Sequence, residues 1–328
     1  MNEQRIEANH KVNIDGGTTA GRLDRTLSAV LREQRGLEVS TKRVRALCDA
    51  GKVRLNGRIA RSGDRVVIGD LLEVFDEIES VVVRPDLAAA SGIELAVAHE
   101  DKDFIVVVKP RGVHTVRLRP DDPVTLADLI AARFPEAAAS SPDPRESGAV
   151  QRLDYFTSGL VLVARKAKIW QHLHQMIIQG QMQKRYRALV EGGIPRNERV
   201  EIAMQPSKDR SRTITAEEGT GEIGDSHVQP GRQFQFPSGN VSIAVVESSI
   251  TKRHQVRFHL SEIGHALVGD EQYGSRRKLI DIPGLSSDPE CKKGGFLLHA
   301  ESMEFRHPLT NGRVSLTVES PLFEKIGR

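Results

Sequence analysis

Gln151-Arg152-Leu153-Asp154-Tyr155-Phe156-Thr157-Ser158-Gly159-Leu160 places one carboxylate two positions after an arginine and just ahead of a Thr-Ser-Gly turn. The apolar run Leu160 to Ala164 follows. Apolar residues bounded by a turn read as a buried strand. Asp154 is therefore expected at the edge of that strand, partly shielded from water with a cation beside it. Taken alone, an Asp in such a setting is more often a turn or ion-pair residue than a catalytic one.

Composition narrows the setting. A chain of 328 residues with 38% apolar content can bury a full core and is expected to hold two domains. It contains no apolar run of ~18 residues, so no membrane partner is expected. Met1 to Ala20 is polar and lacks the apolar centre of a secretory signal. Two cysteines, Cys48 and Cys291, are too few for a disulfide framework or a cysteine-rich metal site, and a reducing cytoplasm fits. A net charge of +3 does not identify a nucleic-acid binder; the placement of the charges matters more.

The expected organisation is a tail over 1–20, a basic module over 21–77, a linker over 78–92 and a large domain over 93–328. In the module, Leu23, Leu27, Val30 and Leu31 recur at helical spacing, and Ser40 caps a second helix that points Val44 and Leu47 inward. Lys52-Val53-Arg54-Leu55 alternates into an Asn56-Gly57 turn, with short strands at Val66 to Ile68 and Leu71 to Val74. Lys42, Arg43, Arg45, Lys52, Arg54 and Arg58 cluster on the second helix and the hairpin. Pro85 and the small residues Leu87 to Gly92 read as a connection.

In the large domain, strands are expected at Ile93 to His99, Phe104 to Val108, Leu160 to Val163, Arg185 to Val190, Ser242 to Val246, Leu297 to Phe305 and Val314 to Val318. Helices are expected around Leu126 to Ile130 and Ile169 to Ile177. Met204 to Pro237, rich in Gly, Ser and charge, reads as irregular. Many strands with few helices and no βαβ alternation imply an α+β fold on a mixed, largely antiparallel sheet.

The segment around Asp154 resembles the active-site motif of the RluA-type pseudouridine synthases, in which His-Arg-Leu-Asp precedes Thr-Ser-Gly-Leu; here Gln151 replaces the histidine. Lys184-Arg185-Tyr186-Arg187-Ala188-Leu189-Val190 resembles that family's Lys-x-Tyr-x-Ala-x-Val. Thr251-Lys252-Arg253-His254-Gln255-Val256-Arg257-Phe258-His259-Leu260 resembles its Gly-Arg-Thr-His-Gln-Ile-Arg-Val-His-Leu, and Gly264-His265 to Gly269-Asp270 its Gly-His-Pro-x-x-Gly-Asp. Arg253 replaces a small residue there. Lys109-Pro110-Arg111-Gly112, His299-Ala300 and His307-Pro308 resemble further family segments, which support fold and pocket walls. The basic module resembles the small RNA-binding unit named after ribosomal protein S-four, whose helix face and hairpin track phosphates.

The resemblance implies an isomerase that converts uridine to pseudouridine in structured ribosomal or transfer RNA, with no cofactor, no metal and no DNA partner, and with a monomer as the default. It implies Asp154 as the catalytic carboxylate and Arg257 as its ion-pair partner, orienting it and favouring its charged form. It implies that Tyr186 stacks on the target uracil and that Arg152 fills the space left by the extruded nucleotide. Lys184, on the Tyr186 face of its strand, and Leu260, on the buried face of the Arg257 helix, complete the expected substrate-binding set. The rival reading is an RNA-binding or ribosome-assembly factor whose active site has drifted, motivated by Gln151 and Thr251-Lys252-Arg253. His254, His259 and His265 invite a metal reading, but 254 and 259 lie ~500° apart on a helix and share a face only loosely.

Overall fold

The computed structural model describes residues 8–14, 21–35, 39–76, 86–90, 94–118, 122–237 and 239–327. They fall into two compact units, Met1–Val83 and Arg84–Arg328.

The first unit contains β1 (His10–Asn13), β2 (Gly21–Arg22), α1 (Leu23–Arg35), α2 (Thr41–Asp49), β3 (Val53–Leu55), β4 (Arg58–Ile59), β5 (Arg65–Val66) and β6 (Leu71–Val74). The apolar stripe of α1 is buried at Leu23, Leu27, Val30 and Leu31. Ser40 caps α2 by accepting a bond from Arg43 N at 3.1 Å, and Val44 and Leu47 point inward. The four-stranded sheet runs β1-β6-β3-β4. Its first member differs from the expected tail: His10–Asn13 pairs antiparallel with β6, and Val12 and Ile14 join the core. An isolated Lys-Val-Asn-Ile carries too little alternation to signal a strand, so only pairing with β6 reveals it. The rest of that tail lies outside the described residues.

The second unit adds α3 (Leu87–Ala90), β7 (Val97–Glu100), β8 (Phe104–Lys109), α4 (Leu126–Arg133), β9 (Thr157–Ala164), α5 (Ala167–Ile178), β10 (Gln183–Glu191), β11 (Glu198–Pro206), β12 (Thr213–Thr215), β13 (Glu222–Phe236), β14 (Gly239–Ser248), α6 (Gln255–Glu262), α7 (Pro289–Lys292), β15 (Leu298–Arg306), β16 (Arg313–Thr317) and α8 (Pro321–Lys325). Ten strands form one sheet in the order β12-β11-β13-β14-β10-β15-β9-β8-β7, with β16 also on β15. Among the described residues of this sheet only β15 and β9 pair in parallel, over Leu298 to Ala300, and the other ladders are antiparallel. The mixed, largely antiparallel α+β reading therefore holds.

Two local expectations are corrected. Leu87–Ala90, read as connection, forms a helical turn that buries Ala90 in the cluster of Leu126, Leu129 and Ile130 on α4. Alanine is the best helix former, and its small side chain lets the turn sit close to its neighbour. The rest of the expected linker lies outside the described residues, except Asp86. Met204 to Pro237, read as irregular, supplies the end of β11, all of β12 and the long β13. The inward positions of β13 include Gly224 and Ser226, so hydropathy hides the two-residue period. Gly224 has no room for a larger residue: a Cβ there would lie 2.6 Å from the Met204 side chain and 2.9 Å from His259 Nε2. Pro230, which has no N–H for a ladder, sits where the register shifts.

The chemistry-bearing residues meet at the centre of this sheet. Asp154 precedes β9, Tyr186 lies on β10, and β15 separates the two strands; α6 brings Arg257.

Candidate active site

A cleft of about 920 Å³ opens in the second unit, lined by Arg152, Asp154, Lys184, Tyr186, His254 and Arg257 among others. The turn that carries Asp154 is fixed from several sides. Leu153 exchanges bonds with Thr115 Oγ1, donating its N–H at 3.1 Å and accepting at 2.8 Å. Thr157 N donates to Asp154 O at 3.0 Å, closing the turn into β9. Tyr155 O accepts from Gly112 N at 2.9 Å and from the Lys109 ammonium at 3.2 Å.

Lys109 is completely buried and also donates to the carbonyls of Pro110 (2.9 Å) and Val113 (2.6 Å). Burial pulls its ammonium from 10.5 down to about 7, Asp154 opposing and Arg111 assisting. The Lys-Pro motif was noticed in the sequence only as wall support; this three-carbonyl clamp on the Asp154 turn was not readable there.

Asp154 keeps 27% of its side chain exposed toward the cleft. Arg257 Nη1 donates to its Oδ2 at 3.2 Å, and His254 Nε2 stands 3.8 Å from Oδ1. Arg257 is itself gripped by Asp270 through Nε (2.7 Å) and Nη2 (2.9 Å), and Nη2 donates to Gln272 Oε1 at 2.8 Å. Its guanidinium lies 4.4 Å from the Phe296 ring centre and 4.8 Å from that of Tyr273. Burial alone would favour its neutral form, but the bonds to Asp270, then the charge of Asp154, outweigh it and raise its pKa. His254 sits at the start of α6 with φ +56°, a left-handed backbone, and its Nδ1 is 3.0 Å from Tyr273 Oη. Burial lowers the His254 imidazole, Asp154 partly opposing.

β10 turns Lys184, Tyr186 and Ala188 to one buried face, as its alternation requires. Tyr186 Oη lies 3.2 Å from Thr251 Oγ1, and burial pushes the phenol up to about 12. Lys184 is 6% exposed, and its ammonium forms no hydrogen bond or ion pair with any described residue. Burial alone brings its ammonium down to about 8. Arg152 is exposed at the cleft with no ion-pair partner among the described residues, which leaves its planar head open to a ligand. Gln151 donates its Nε2–H to Leu160 O at 3.4 Å.

Leu260 is placed differently from expectation. It is fully buried in the apolar cluster that also holds Tyr186 and Val256 and is absent from the cleft lining, so it belongs to the core beneath the site. Helical spacing identified its buried face but not what that face covers. Thr251-Lys252-Arg253 takes up specific partners: Thr251 meets Tyr186, Lys252 pairs with Glu222, and Arg253 donates to the carbonyls of Arg210 (2.7 Å) and Ser211 (3.1 Å). Asp270, Gln272 and His254 were not singled out for these contacts; the Gly269-Asp270 motif was the one available signal.

The three histidines considered for a metal go separate ways. His254 faces Tyr273, His259 Nδ1 meets Ser226 Oγ at 3.0 Å, and His265 Nδ1 meets Glu191 O at 3.0 Å. Among the described residues the cluster with metal-ligand spacing is Asp101, Asp103 and His307. There His307 Nδ1 accepts from Leu309 N (3.1 Å) and Thr310 N (3.2 Å), which leaves Nε2 as the protonated nitrogen facing the carboxylates. A neutral ring whose Nε2–H is directed at the Asp101 carboxylate at 3.4 Å is a hydrogen-bond clamp rather than a ligand set.

In the first unit, Lys42, Arg43, Arg45, Lys52, Arg54 and Arg58 are all exposed. Arg43 pairs with Asp76 (3.2 Å), Arg45 with Asp24 (2.7 Å) and Arg58 with Asp64 (2.8 Å), and Arg54 lies over the Phe75 ring. Lys42 and Lys52 have no carboxylate partner among the described residues.

Comparison with known proteins adds independent findings. Residues 103–262 match the RNA pseudouridylate synthase family, and residues 22–72 match the S4 domain. A ribosomal large subunit pseudouridine synthase D from Xylella fastidiosa is 29% identical over 94% of this chain and 88% of its own length. One of the same name from Zymomonas mobilis is 27% identical over 92% of this chain and 90% of its own. Among solved structures, human RNA pseudouridylate synthase domain containing 1 superposes with a TM-score of 0.52 at 22% identity, covering 70% of this chain and 84% of that one. No helix of the described residues is long and apolar enough to cross a membrane.

Proposed function

The chain belongs to the RNA pseudouridine synthases of the RluA type, with an S4 module ahead of the catalytic domain, and from that premise we propose that Asp154 is its catalytic carboxylate and large-subunit ribosomal RNA its substrate. The reaction is an isomerisation of RNA uridine. The bond from a uracil ring nitrogen to the ribose breaks, the base turns, and a ring carbon takes its place on the sugar. One proton leaves that carbon and one is gained by the freed nitrogen, so the scheme is balanced without an oxidant or a cofactor.

The observation that carries the assignment is the placement of Asp154. Its carboxylate opens to the cleft on one side and is held by Arg257 on the other, and Tyr186 lines the same cleft. Arg152 and Lys184, cations without ion-pair partners at the same cleft, fit an extruded nucleotide and its phosphate. Tyr186 supplies an aromatic face for the uracil, and its buried phenol stays protonated to donate a hydrogen bond as the base turns. Closing RNA over the cleft excludes water from the detached base. The exposed cations of the S4 module track RNA phosphates and add affinity without reading sequence.

The ribosomal target is carried over from the printed names of the relatives. Action as a monomer in the cytoplasm completes the reading; the two free, buried thiols Cys48 and Cys291 suit a reducing compartment. The test is pseudouridine mapping by carbodiimide primer-extension stops in cells with the protein, without it, and with Asp154→Asn alone. A stop lost in both altered strains names the target and the carboxylate. Stops unchanged throughout, with RNA still bound by the purified protein, would reject the assignment.

A further inference from the structure

The hairpin that joins β11 to β12 is more elaborate than a connection requires. Its tip reads Ser207-Lys208-Asp209-Arg210-Ser211-Arg212, and Lys208, Arg210 and Arg212 are all exposed. None of the three has a carboxylate partner among the described residues. Cations nearby are treated otherwise: Arg199 pairs with Glu201 and Asp225 at 3.0 Å each, and Lys252 pairs with Glu222.

The tip is also stiff. Asp209 Oδ1 accepts from Ser207 Oγ (2.5 Å), Ser211 N (3.0 Å) and Ser211 Oγ (2.9 Å), so its charge is directed into the turn rather than onto the cations. Those bonds hold its carboxyl down at about 2. Arg210 takes a left-handed backbone with φ +57°. Three residues from other elements then tie the tip to the cleft. Arg253 donates to the carbonyls of Arg210 and Ser211, Gln272 Nε2 donates to Ser211 O at 3.1 Å, and Tyr273 Oη accepts from Thr213 N at 2.7 Å. Gln272 is the same residue that accepts from Arg257, and Ser211 itself lines the cleft.

We infer that residues 207–212 form a rigid arm at the mouth of the cleft, which grips RNA phosphates beside the target uridine through Lys208, Arg210 and Arg212. The inference rests on the reading of the cleft as a uridine-isomerising site. Unpaired cations on a braced turn match an anionic backbone, because little conformational freedom is lost when phosphate binds. Contacts of this kind fix register and orientation, not base identity. Gln272 bridges Ser211 O of the arm and Arg257, a link made through the arm's backbone that side-chain removal at 208, 210 and 212 leaves in place.

The test uses the full chain and unmodified large-subunit ribosomal RNA and transfer RNA transcripts. The wild type is compared with Lys208→Ala/Arg210→Ala/Arg212→Ala, and with Arg196→Ala/Arg276→Ala/Lys292→Ala, which removes three exposed cations that do not line the cleft. The arm variant should raise KM about tenfold and make the slope of log affinity against log salt shallower by about two, three lost contacts at ~0.7 each. Its single-turnover rate at saturating RNA should stay within about twofold, because the removed groups position the RNA and do not react. An arm variant indistinguishable from the control variant, with an active wild type, overturns the arm alone. A wild type that neither binds nor converts any of the transcripts overturns the reading beneath it as well.

Discussion

Asp270 grips Arg257 more firmly than Asp154 does: it accepts two bonds, at 2.7 and 2.9 Å, where Asp154 accepts one at 3.2 Å. A planar fork held by one buried carboxylate has its remaining N–H pre-aimed at the other. Asp270 is therefore a positioning residue that sets the direction of the Asp154–Arg257 pair. Asp270→Asn leaves the buried guanidinium without its main counter-charge. We expect a loss of about 3–5 kcal/mol in stability from the broken buried pair. Single-turnover conversion should slow by about 100-fold from the misaimed Arg257. Urea denaturation and quench-flow conversion read the two effects separately; a fast, stable Asp270→Asn protein would end the positioning role.

Asp154→Asn should behave differently. Its partner Arg257 keeps Asp270, and the Asp154 side chain is partly open to solvent. Conversion is expected to fall to background while stability stays within about 1 kcal/mol. A large drop in melting temperature would instead mark Asp154 as a structural ion-pair residue.

Thr157-Ser158-Gly159, expected as a turn, is the first part of β9, and Gly159 meets β15 where the two strands run parallel. Its φ is +116°, and a Cβ would lie 2.2 Å from Ala300 O, a backbone atom that cannot step aside. Gly159→Ala should cost more than about 3 kcal/mol, combining strained backbone with a clash at the sheet centre. Soluble yield and urea midpoint measure it; a midpoint equal to wild type would show that β9 and β15 can separate freely.

His259 carries an acid-side stability signal. Burial takes its imidazole from 6.5 to about 4, and Nε2 has no partner among the described residues. The unfolded chain protonates this ring near pH 6.5 and the folded chain only near 4. Between those values the unfolded state binds more protons, so stability is full above 6.5 and is lost as pH falls toward 4. His254, lowered by burial in the same direction, steepens that loss. His259→Asn keeps an acceptor for Ser226 and removes the titrating group. Its urea midpoints measured from pH 7 down to 4 should fall less steeply than those of the wild type; an unchanged slope would exclude His259 as a source.

Elements whose buried face is apolar were legible before the structure. The Leu23, Leu27, Val30 and Leu31 stripe is buried in α1, and Leu160 to Ala164 forms the body of β9. Elements whose buried face is small or polar were not. β13 turns Gly224 and Ser226 inward and so shows no hydropathy period. The site follows the same division. Motif resemblance pointed to Asp154, Tyr186 and Arg257, which the fold does bring to one cleft although the first and last are 103 positions apart. The bracing contacts escaped, because Lys109 works through carbonyls and Gln272 through a bond to Ser211 O, and neither leaves a mark in residue type or spacing. Leu260 shows the limit from the other side: its helix face was correctly read as buried, and burial removed it from the cleft.

Tyr186 separates the role of its ring from that of its hydroxyl. Tyr186 stands in register with Val246 on β14 and Ala300 on β15, lines the cleft, and sets its hydroxyl against Thr251. With the phenol pushed up to about 12, it remains a neutral donor throughout the working pH range and contributes no ionised form. Tyr186→Phe keeps the stacking face and loses one hydrogen bond of about 1 kcal/mol, so kcat/KM should fall by roughly fivefold. Tyr186→Leu removes the face, worth about 1–3 kcal/mol, and with it the hydroxyl, so kcat/KM should fall by roughly 5- to 150-fold from the face and further from the lost bond. The pH profile of kcat/KM for Tyr186→Phe should keep the wild-type shape above neutrality, since no phenolate forms there. Equal losses in the two variants would shift the essential group from the ring to the hydroxyl, and with it the account of how the uracil is held while it turns.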